Sequence, residues 1–267
     1  MNNSCLFFNP QTYIKLIQTQ WFIFNHAIVF FTRLPIQKTF QYQEEYNNKA
    51  IRYLPLIGGI VGLWSTIIFV ACHFIFSLDI SVFFCIIATI LLTGAIHEDG
   101  FADFCDSLGG ITLEKRLEIM KDSHLGAYGM IGLAGILFGK YLLLTHFPES
   151  DVPQILISSH VFSRTSILFL ILFLPYAGKK ESSKSFKLVE AEQKKNVCIG
   201  CIITLLFFIY FPLFFILTIP ILAITIVFLY YYFKKKIGGY TGDYLGAAQQ
   251  ITEFVYYITI LVMRHQA

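Results

Sequence analysis

The chain has 267 residues, of which 56% are hydrophobic and only 14% are charged, with a formal net charge of +3. A soluble globular domain is nearer a quarter charged, and runs of about 20 apolar residues can cross a bilayer as helices. The composition therefore excludes an ordinary soluble protein and indicates an integral membrane protein. The small net charge and the lack of a basic arm argue against a nucleic-acid partner.

Apolar runs follow one another along the chain and predict an all-α, polytopic fold with six or seven transmembrane helices. They cover residues 54–76, 80–96, 128–147, 152–175, 197–217, 219–232 and 251–263. The run 219–232 is short, and the stretch 21–31 is typical of an interfacial or re-entrant helix. We expect a single domain over 1–267, with a cytoplasmic or interfacial segment at 1–52 and a transmembrane bundle at 53–263.

Lysine and arginine alternate between the segments that connect these runs. They occur before the first run and within 97–127, 176–196 and 233–250, but not within 77–79, 148–151 or at residue 218. The positive-inside rule therefore places the first group in the cytoplasm and predicts active-site loops on that face. Polar chemistry on one face favours an enzyme, because a transporter exposes polar groups through the middle of the bilayer.

The segment HEDGFADFCDSLGG, residues 97–110, holds four carboxylates and no lysine or arginine. Asp99, Asp103 and Asp106 are spaced i, i+4 and i+7, which places them on one face of a helix. Oxygen ligands favour Mg²⁺ or Mn²⁺, so the stripe predicts a metal site, with a solvated acidic helix end as the alternative. His97 could bind phosphate, act as a general base, or be only a hydrogen-bonded side chain.

A second polar stretch, MKDSHLGAYG at 120–129, falls on the same predicted face. Asp122 would add a carboxylate to the metal site, and Lys121 a phosphate contact. Ser123 would cap the helix that follows. The alternative is an ordinary cap with a salt bridge.

A third stretch, IGGYTGDYLGAA at 237–248, precedes the last apolar run. Gly239, Thr241 and Gly242 belong to an amide-rich loop of the kind that wraps anions, and Asp243 would help to hold the metal. Glycine-rich loops are common, so this prediction depends on the acidic stretch lying on the same face.

Arg164 lies near the middle of the fourth run, with His160 one helical turn before it. A charge at that depth costs about 2.5–3.5 kcal/mol on insertion scales, so it usually marks a function or a buried ion pair. We predict a phosphate or carboxylate partner for Arg164, with purely structural pairing as the alternative. Carboxylates, a hard metal and basic groups together suit phosphoryl transfer.

Seven motifs follow one another along the chain. They are FFTRLPI (30–36), YLPLIGGIVG (53–62), TGAIHEDGFADFCDSLGG (93–110), RLEIMKDSHLGAYG (116–129), SR (163–164), PYA (175–177) and GGYTGDYLGAA (238–248). In these motifs and in their order the chain resembles a known family, the cobalamin synthases, which are adenosylcobinamide-GDP ribazoletransferases. The resemblance covers about residues 28–256.

The resemblance implies a Mg²⁺-dependent phosphotransferase in the cytoplasmic (inner) membrane of a prokaryote. Its substrates would be adenosylcobinamide-GDP and α-ribazole or its 5′-phosphate, and its products adenosylcobalamin, or its 5′-phosphate, and GMP. Arg33, in the first shared motif, is a further candidate for phosphate binding. An oligomer is possible.

The chain departs from the family pattern at Glu98, where an apolar residue is usual, and at His124 and Gly178, where arginine is usual. Lys179 or Lys180 would be the substitute for a missing phosphate contact, without the planar fork of arginine. A CDP-alcohol phosphotransferase is the nearest alternative, but its motif has Ala-Arg where this chain has Ala102 and Asp103. A transporter with an acidic gate is the alternative from another class.

Overall fold

The computed structural model describes residues 10–36, 46–177, 183–208 and 217–266. Within these ranges the chain is helical, and an isolated bridge between Tyr176 and Tyr240 is the one extended pairing. The all-α prediction is therefore confirmed. The helices are α1 (Pro10–Phe31), α2 (Asn47–Ala50), α3 (Leu54–His73), α4 (Leu78–Thr93), α5 (Ile96–Ser107), α6 (Leu113–Ile119), α7 (Ala127–Thr145), α8 (Val152–Phe173), α9 (Ser183–Phe208), α10 (Ile219–Ile237) and α11 (Gly242–His265).

Three of the described helical segments are long and apolar enough to cross a membrane: Asn48–His73, which includes α3, and helices α7 and α8. Helices α4 and α5 make a fourth candidate if they are one span, although they meet at a 90° bend. The polytopic membrane class is confirmed, but these three or four candidates are fewer than the six or seven predicted. The run 197–217 extends into residues outside the described ranges, and α10 and α11 carry more polar residues than the apolar runs within them suggested.

Helix α8 is the centre of the bundle, with 83% of its most apolar window buried. Two glycines of the YLPLIGGIVG motif let α3 approach it closely. A Cβ atom on Gly58 would lie 2.9 Å from the Cα of Val161, and one on Gly62 would lie 2.6 Å from the Cα of Ile157. Small residues have this effect in membranes, where close packing rather than exclusion of water drives helix association.

The apolar stretch 21–31 forms the second half of α1. Ile23 and Ala27 are buried there against Ile57 and Val61 of α3. The stretch is thus packed against the bundle, and α1 is not among the candidate spans of the described residues.

The predicted run 80–96 is broken at Gly94 and Ala95, which both adopt left-handed backbone angles, with φ of 65° and 61°. Gly94 ends α4 and Ala95 precedes α5, so the chain turns sharply between them. A left-handed alanine is unfavourable and is maintained only by its surroundings. This elbow turns the acidic helix α5 away from α4 and across the end of the bundle.

Candidate active site

The predicted acidic stripe lies on α5, and its spacing is helical as expected. Asp99 is exposed, while Asp103 and Asp106 are half-buried. The opposite face of α5 is buried: the Phe104 ring lies 6.1 Å from that of Phe233 on α10 and 5.1 Å from that of Tyr244 on α11. Because α5 is turned away from α4, its acidic face lies at the end of the bundle, outside the crossing helices.

Two glycines allow α5 and the first turns of α11 to touch through their backbones. A Cβ atom on Gly100 would lie 2.9 Å from the Cα and 3.0 Å from the carbonyl oxygen of Asp243. One on Gly246 would lie 3.2 Å from the carbonyl oxygen of His97. Gly100 thus lets another helix come close, and that helix is α11, which meets α5 in its first turn at Asp243. We call Asp99, Asp103 and Asp243 the acidic cluster.

The acidic cluster contains mutually repelling charges. Burial, followed by the negative charges of Asp243, Asp99 and Asp106, raises the pKa of Asp103 to about 6. Burial and the charge of Asp99 also raise the pKa of Asp243 above its ordinary value. A cation between these carboxylates would relieve the repulsion that raises both pKa values.

The donor chemistry of the acidic cluster suits a hard divalent ion, because carboxylate oxygens are the ligands that Mg²⁺ and Mn²⁺ prefer. Among the described residues, however, no three His, Cys, Asp or Glu side chains converge closely enough to hold an ion by themselves. Mg²⁺ commonly binds through one or two carboxylates, with substrate phosphates and water completing its shell. The cluster therefore fits an ion that is completed by a phosphate substrate better than one held in a closed protein cage.

Asp106, the third acid of the stripe, has a different position. Its two carboxylate oxygens accept hydrogen bonds from the backbone N–H groups of Gly126 and Gly129, each at 2.8 Å. Gly126 is the N-cap residue of α7, so Asp106 supplies the carboxylate that caps this helix and complements its dipole. The carboxylate of Asp106, and not the hydroxyl of Ser123, therefore caps α7. Asp106 belongs to α5 and reaches the first turn of α7 from there.

The loop between α6 and α7 does not bring Asp122 into the acidic cluster. Asp122 is exposed and accepts hydrogen bonds from the backbone N–H of His124 at 3.1 Å and from its ring Nδ1 at 2.6 Å. This contact raises the pKa of His124 and lowers that of Asp122. Lys121 is exposed beside them. The predicted metal contact of Asp122 therefore lacks support, since its carboxylate is bound to its own loop.

The glycine-rich loop is held by a motif that lies far from it in sequence. Tyr240 donates its backbone N–H to the carbonyl of Pro175, and Ala177 donates its own to the carbonyl of Tyr240, each at 2.9 Å. A Cβ atom on Gly239 would overlap the carbonyl of Pro175, so this position requires glycine. The stretches PYA and GGYTGD thus form one structural unit next to the start of α11.

The next residues of this loop begin α11. Thr241 is the N-cap, and its hydroxyl accepts a hydrogen bond from the backbone N–H of Tyr244 at 3.3 Å. Gly242 follows as the first helical residue, and it is exposed with open space where a Cβ atom would lie. A helix N-terminus with this access suits an anion, and it lies directly before Asp243 of the acidic cluster.

Arg33 lies at the elbow between α4 and α5. Its backbone N–H donates to the carbonyl of Leu92 at 2.6 Å, and a Cβ atom on Gly94 would overlap its guanidinium group. Its side chain is exposed. The FFTRLPI motif therefore lies beside Gly94, which is two residues before the start of α5 at Ile96.

Comparison with known proteins agrees with the motifs that converge at this site. The family model described as cobalamin-5-phosphate synthase matches residues 23–261. A Vibrio cholerae protein named adenosylcobinamide-GDP ribazoletransferase is 36% identical over 257 residues, which is 94% of this chain and 98% of that protein. A Shewanella piezotolerans protein of the same name is 39% identical over 248 residues, which is 90% of this chain and 95% of that protein. No solved structure matches.

The chain belongs to the cobalamin-5-phosphate synthase family. The acidic helix, the loop at 120–129 and the glycine-rich loop all lie within the matched range. The family assignment therefore covers every element of the site described above, together with the buried residues beneath it.

Beneath the acidic cluster, this family member contains a group of charges inside the bundle, which we call the buried charge network. Its charged members are Glu98, Lys140, Arg164 and Glu253, with His160, Gln249 and Gln250 between them. The ammonium group of Lys140 lies 3.0 Å from Oε1 of Glu253 and donates to Oε1 of Gln250 at 2.6 Å. The amide of Gln250 donates in turn to Oε1 of Glu98 at 2.9 Å. Glu98 thus joins α5 to the core.

Arg164 belongs to this buried network, and not to the acidic cluster. It is 1% exposed, and its Nη1 lies 3.1 Å from Nδ1 of His160, whose ring is 3.6 Å from Glu253. The cavity between these groups has a volume of about 20 Å³, enough for about one water molecule. A pyrophosphate does not fit there, so the structural pairing left open for Arg164 is supported and the predicted phosphate contact is not.

His97 also faces inward. It is 5% exposed, and the charges of Arg164, Glu253 and Lys140 in the buried charge network act on its ring. Its Nε2 has no hydrogen-bond partner in the described part of the chain. A general base at the surface must reach the reacting hydroxyl, and the burial of His97 argues against that role.

Sequence reasoning missed Lys140 altogether. It is a single lysine in the apolar run 128–147, and it is 5% exposed. A lone charge within such a run is a signal of function or ion pairing, and Glu253 gives the same signal in the last run. Matching the two lone charges would have predicted the contact between α7 and α11.

Proposed function

We propose that this chain joins adenosylcobinamide-GDP to α-ribazole, or to α-ribazole 5′-phosphate, and releases GMP. The relatives from Vibrio cholerae and Shewanella piezotolerans are named for this transfer. One observation of the structure supports the same reaction for this chain. The acids of two separate family motifs, Asp103 of α5 and Asp243 of α11, meet where Gly100 allows the helices to cross.

In this proposal the pyrophosphate of adenosylcobinamide-GDP binds at the N-terminus of α11, where Gly242 is open. Asp99, Asp103 and Asp243 would hold Mg²⁺, which supplies charge neutralisation to the phosphates when bound. Arg33 and Lys121 are exposed and are the candidates for further phosphate contacts.

The proposed chemistry is a direct displacement. A ribose hydroxyl oxygen of the acceptor forms a bond to the phosphorus attached to cobinamide. It is not the 5′ oxygen, because that oxygen carries the phosphate in α-ribazole 5′-phosphate and in its product. The bond from that phosphorus to the oxygen of the GMP phosphate breaks, and GMP leaves with the electron pair. The hydroxyl proton passes to a carboxylate of the acidic cluster, which is favoured over His97 because that ring is buried.

The two alternatives receive less support. A CDP-alcohol phosphotransferase would carry a basic residue where this chain has Asp103, and the family match spans 23–261. A transporter with an acidic gate would place its acids along a pathway, whereas the acidic cluster lies at the end of the bundle and Glu253 inside the bundle is paired with Lys140. We further propose that the cluster faces the cytoplasm, on the positive-inside argument.

The proposal is tested by GMP release from the purified full-length chain in lipid nanodiscs. We expect release that requires adenosylcobinamide-GDP, α-ribazole and Mg²⁺ together. Asp103→Asn should lower the rate roughly 100-fold or more at limiting Mg²⁺, because it removes a carboxylate that offsets the charge of the ion. Glu114→Gln is the matched control, since Glu114 is an exposed acid on α6 outside the cluster.

Each part of the proposal has its own contradicting result. Absence of GMP release by the unmodified chain with both substrates would refute the reaction. Full GMP release by Asp103→Asn at limiting Mg²⁺ would leave the reaction standing and refute the metal site. Release of CMP from a CDP-lipid would establish the phosphotransferase alternative instead.

A further inference from the structure

A long groove separates three helices of the bundle. It has a volume of about 600 Å³ and lies between α8, α9 and α10. It runs from Phe162 to Phe173 along α8 and from Ile219 to Tyr231 along α10. On each of these helices the lining residues recur at i, i+3 and i+4, so each helix presents one continuous face to the groove.

The lining of the groove is apolar, and the hydroxyl groups at its floor are already bonded. Thr165 pairs with Thr204 of α9 at 2.9 Å, and Ser166 donates to the carbonyl of Ser163. A polar ligand would have no free partner at this floor, whereas a hydrocarbon ligand needs none. The chemistry of the groove therefore indicates an apolar occupant.

The length of the groove matches one leaflet of a bilayer. From Phe162 to Phe173, and from Ile219 to Tyr231, the helical rise is roughly 16–18 Å. Half of the hydrocarbon core of a bilayer is about 15 Å thick. The groove thus has the length of a single acyl chain that runs beside α8, a helix apolar enough to cross the membrane.

One end of the groove carries positive charge. Tyr230 and Tyr231 line this end, and Lys234 and Lys235 follow each of them by one helical turn on the same face of α10. The ammonium group of Lys234 donates to the hydroxyl of Tyr230 at 3.2 Å. Both lysines are exposed, so their charges are available at the level where the groove ends.

We propose that this groove binds an anionic phospholipid of the surrounding bilayer. One acyl chain lies between α8, α9 and α10, and the headgroup phosphate lies at Lys234 and Lys235. An apolar groove alone would accept any lipid, and the adjacent pair of lysines selects an anionic one. The groove shares no lining residue with the acidic cluster, and the proposal does not depend on the reaction proposed above.

The test uses the full-length chain in nanodiscs that contain a trace of spin-labelled phosphatidylglycerol or phosphatidylcholine, with the label on the acyl chain. Electron paramagnetic resonance measures the fraction of label that is motionally restricted by the protein. We expect a preference for phosphatidylglycerol of roughly fivefold to thirtyfold, as one or two basic residues near the surface would give. Lys234→Gln/Lys235→Gln should abolish the preference, whereas Lys15→Gln/Lys115→Gln, with the same net charge, should retain it.

A second variant tests the groove itself. Ala223 lines it, while its neighbour Ile224 is 65% exposed and points elsewhere. Ala223→Trp should fill the groove and lower the restricted fraction of phosphatidylglycerol to that of phosphatidylcholine, and Ile224→Trp should leave the preference unchanged. Because the lysine pair is on the surface, that variant tests the site even if Ala223→Trp does not fold.

Three results would overturn the proposal. Equal restriction of the two lipids by the unmodified chain would show that the groove does not select charge. A preference that survives Ala223→Trp would place the lipid elsewhere. Dimers in the nanodiscs that Ala223→Trp dissociates would make the groove an interface between two copies of the chain.

Discussion

The two faces of α5 carry acids in opposite settings. Toward the end of the bundle, Asp99 and Asp103 meet Asp243, and burial, followed by the like charges, raises the pKa of Asp103 to about 6. Toward the core, Glu98 enters a network in which the acids and cations are equal in number: Glu98 and Glu253 against Lys140 and Arg164. One helix thus separates a set of like charges from a balanced one.

The difference between these regions follows from solvation. A charge taken out of water costs several kcal/mol unless it is paired and hydrogen-bonded, so the interior tolerates Glu98 only with Gln250 and the cations beyond it. The acidic cluster keeps access to water, which allows repelling carboxylates to remain without a protein partner. An unbalanced, accessible cluster is the region suited to take a ligand, and the balanced network is suited to hold α5 in place.

We expect the largest effect on stability from a substitution that removes an acid from the buried charge network and leaves its cations in excess. Glu253→Leu would leave Lys140 and Arg164 buried without the acid between them, and breaking a buried pair costs about 3–5 kcal/mol. We expect a large fall in the temperature of thermal unfolding in detergent, measured by circular dichroism. Asp103→Asn, which removes an acid from the cluster, should change that temperature little, because the substituted group retains access to water.

A double substitution distinguishes the loss of charge balance from the loss of side-chain packing. Lys140→Met/Glu253→Leu removes one cation and one acid, so that Arg164 and Glu98 remain balanced. Replacing both members of a buried pair with apolar residues is often neutral or stabilising. The double variant should therefore unfold at a higher temperature than Glu253→Leu alone. If it is equally unstable or worse, charge balance does not explain the network.

The second prediction concerns the crossing that joins the two regions. Gly100→Ala would bring a Cβ atom to 2.9 Å from the Cα of Asp243, and the helices would have to separate. A displacement of about 1 Å can cost roughly 100-fold in rate, so GMP release should fall by about that factor. Gly135→Ala on α7 is the control, because nothing lies within 4 Å of its Cβ position. Equal activity of the two variants would show that the crossing does not position the site.

The acidic stripe could be predicted from the sequence because its signal is local. The i, i+4, i+7 spacing of Asp99, Asp103 and Asp106 fixes one helical face, but nothing local shows which helix packs against Gly100. At the elbow, Gly94 is a residue that often ends a helix, whereas Ala95 is not a residue that favours left-handed angles. The chain therefore looked like one continuous apolar run from Ile80 to Ile96.

The remaining errors concern contacts through space. The stripe spacing gave Asp106 the same role as Asp103, but Asp106 alone faces the amide groups that begin α7. Nothing in the sequence near residue 175 indicates its pairing with residue 240. Charges such as Arg164 and Lys140 are visible in apolar runs, but the identity of their partners depends on helix packing, which periodicity does not specify.

The third prediction separates Asp106 from the acidic cluster. Asp106→Ala should lower stability by about 1 kcal/mol, the usual cost of losing an N-terminal cap, as measured by thermal unfolding. The Mg²⁺ concentration needed for GMP release should stay as in the unmodified chain, in contrast to Asp103→Asn. Ser123→Ala, at the cap position that the sequence suggested, should change neither property. An increased Mg²⁺ requirement in Asp106→Ala with unchanged stability would return Asp106 to the metal site.

The smallest effect is expected at the exposed pair of Asp122 and His124, which lies outside both regions. The Asp122 carboxylate raises the pKa of the His124 ring above its ordinary value of 6.5. The stabilisation from this raised pKa is fully present below pH 6.5 and is lost as the pH rises through the folded-state value. The pKa of Asp122 is lowered, so its own contribution is lost only in acid, below the ordinary value of 3.8.

Nuclear magnetic resonance titration of labelled histidine can measure this pair directly. In the unmodified chain the His124 midpoint should lie above 6.5, and Asp122→Asn should lower it, whereas Asp122→Glu should keep it raised because the negative charge remains. Asp122→Asn should also leave GMP release nearly unchanged, since the pair is not part of the acidic cluster. A strong loss of activity in Asp122→Asn that Asp122→Glu restores would show that this carboxylate acts at the site and belongs to the acidic cluster.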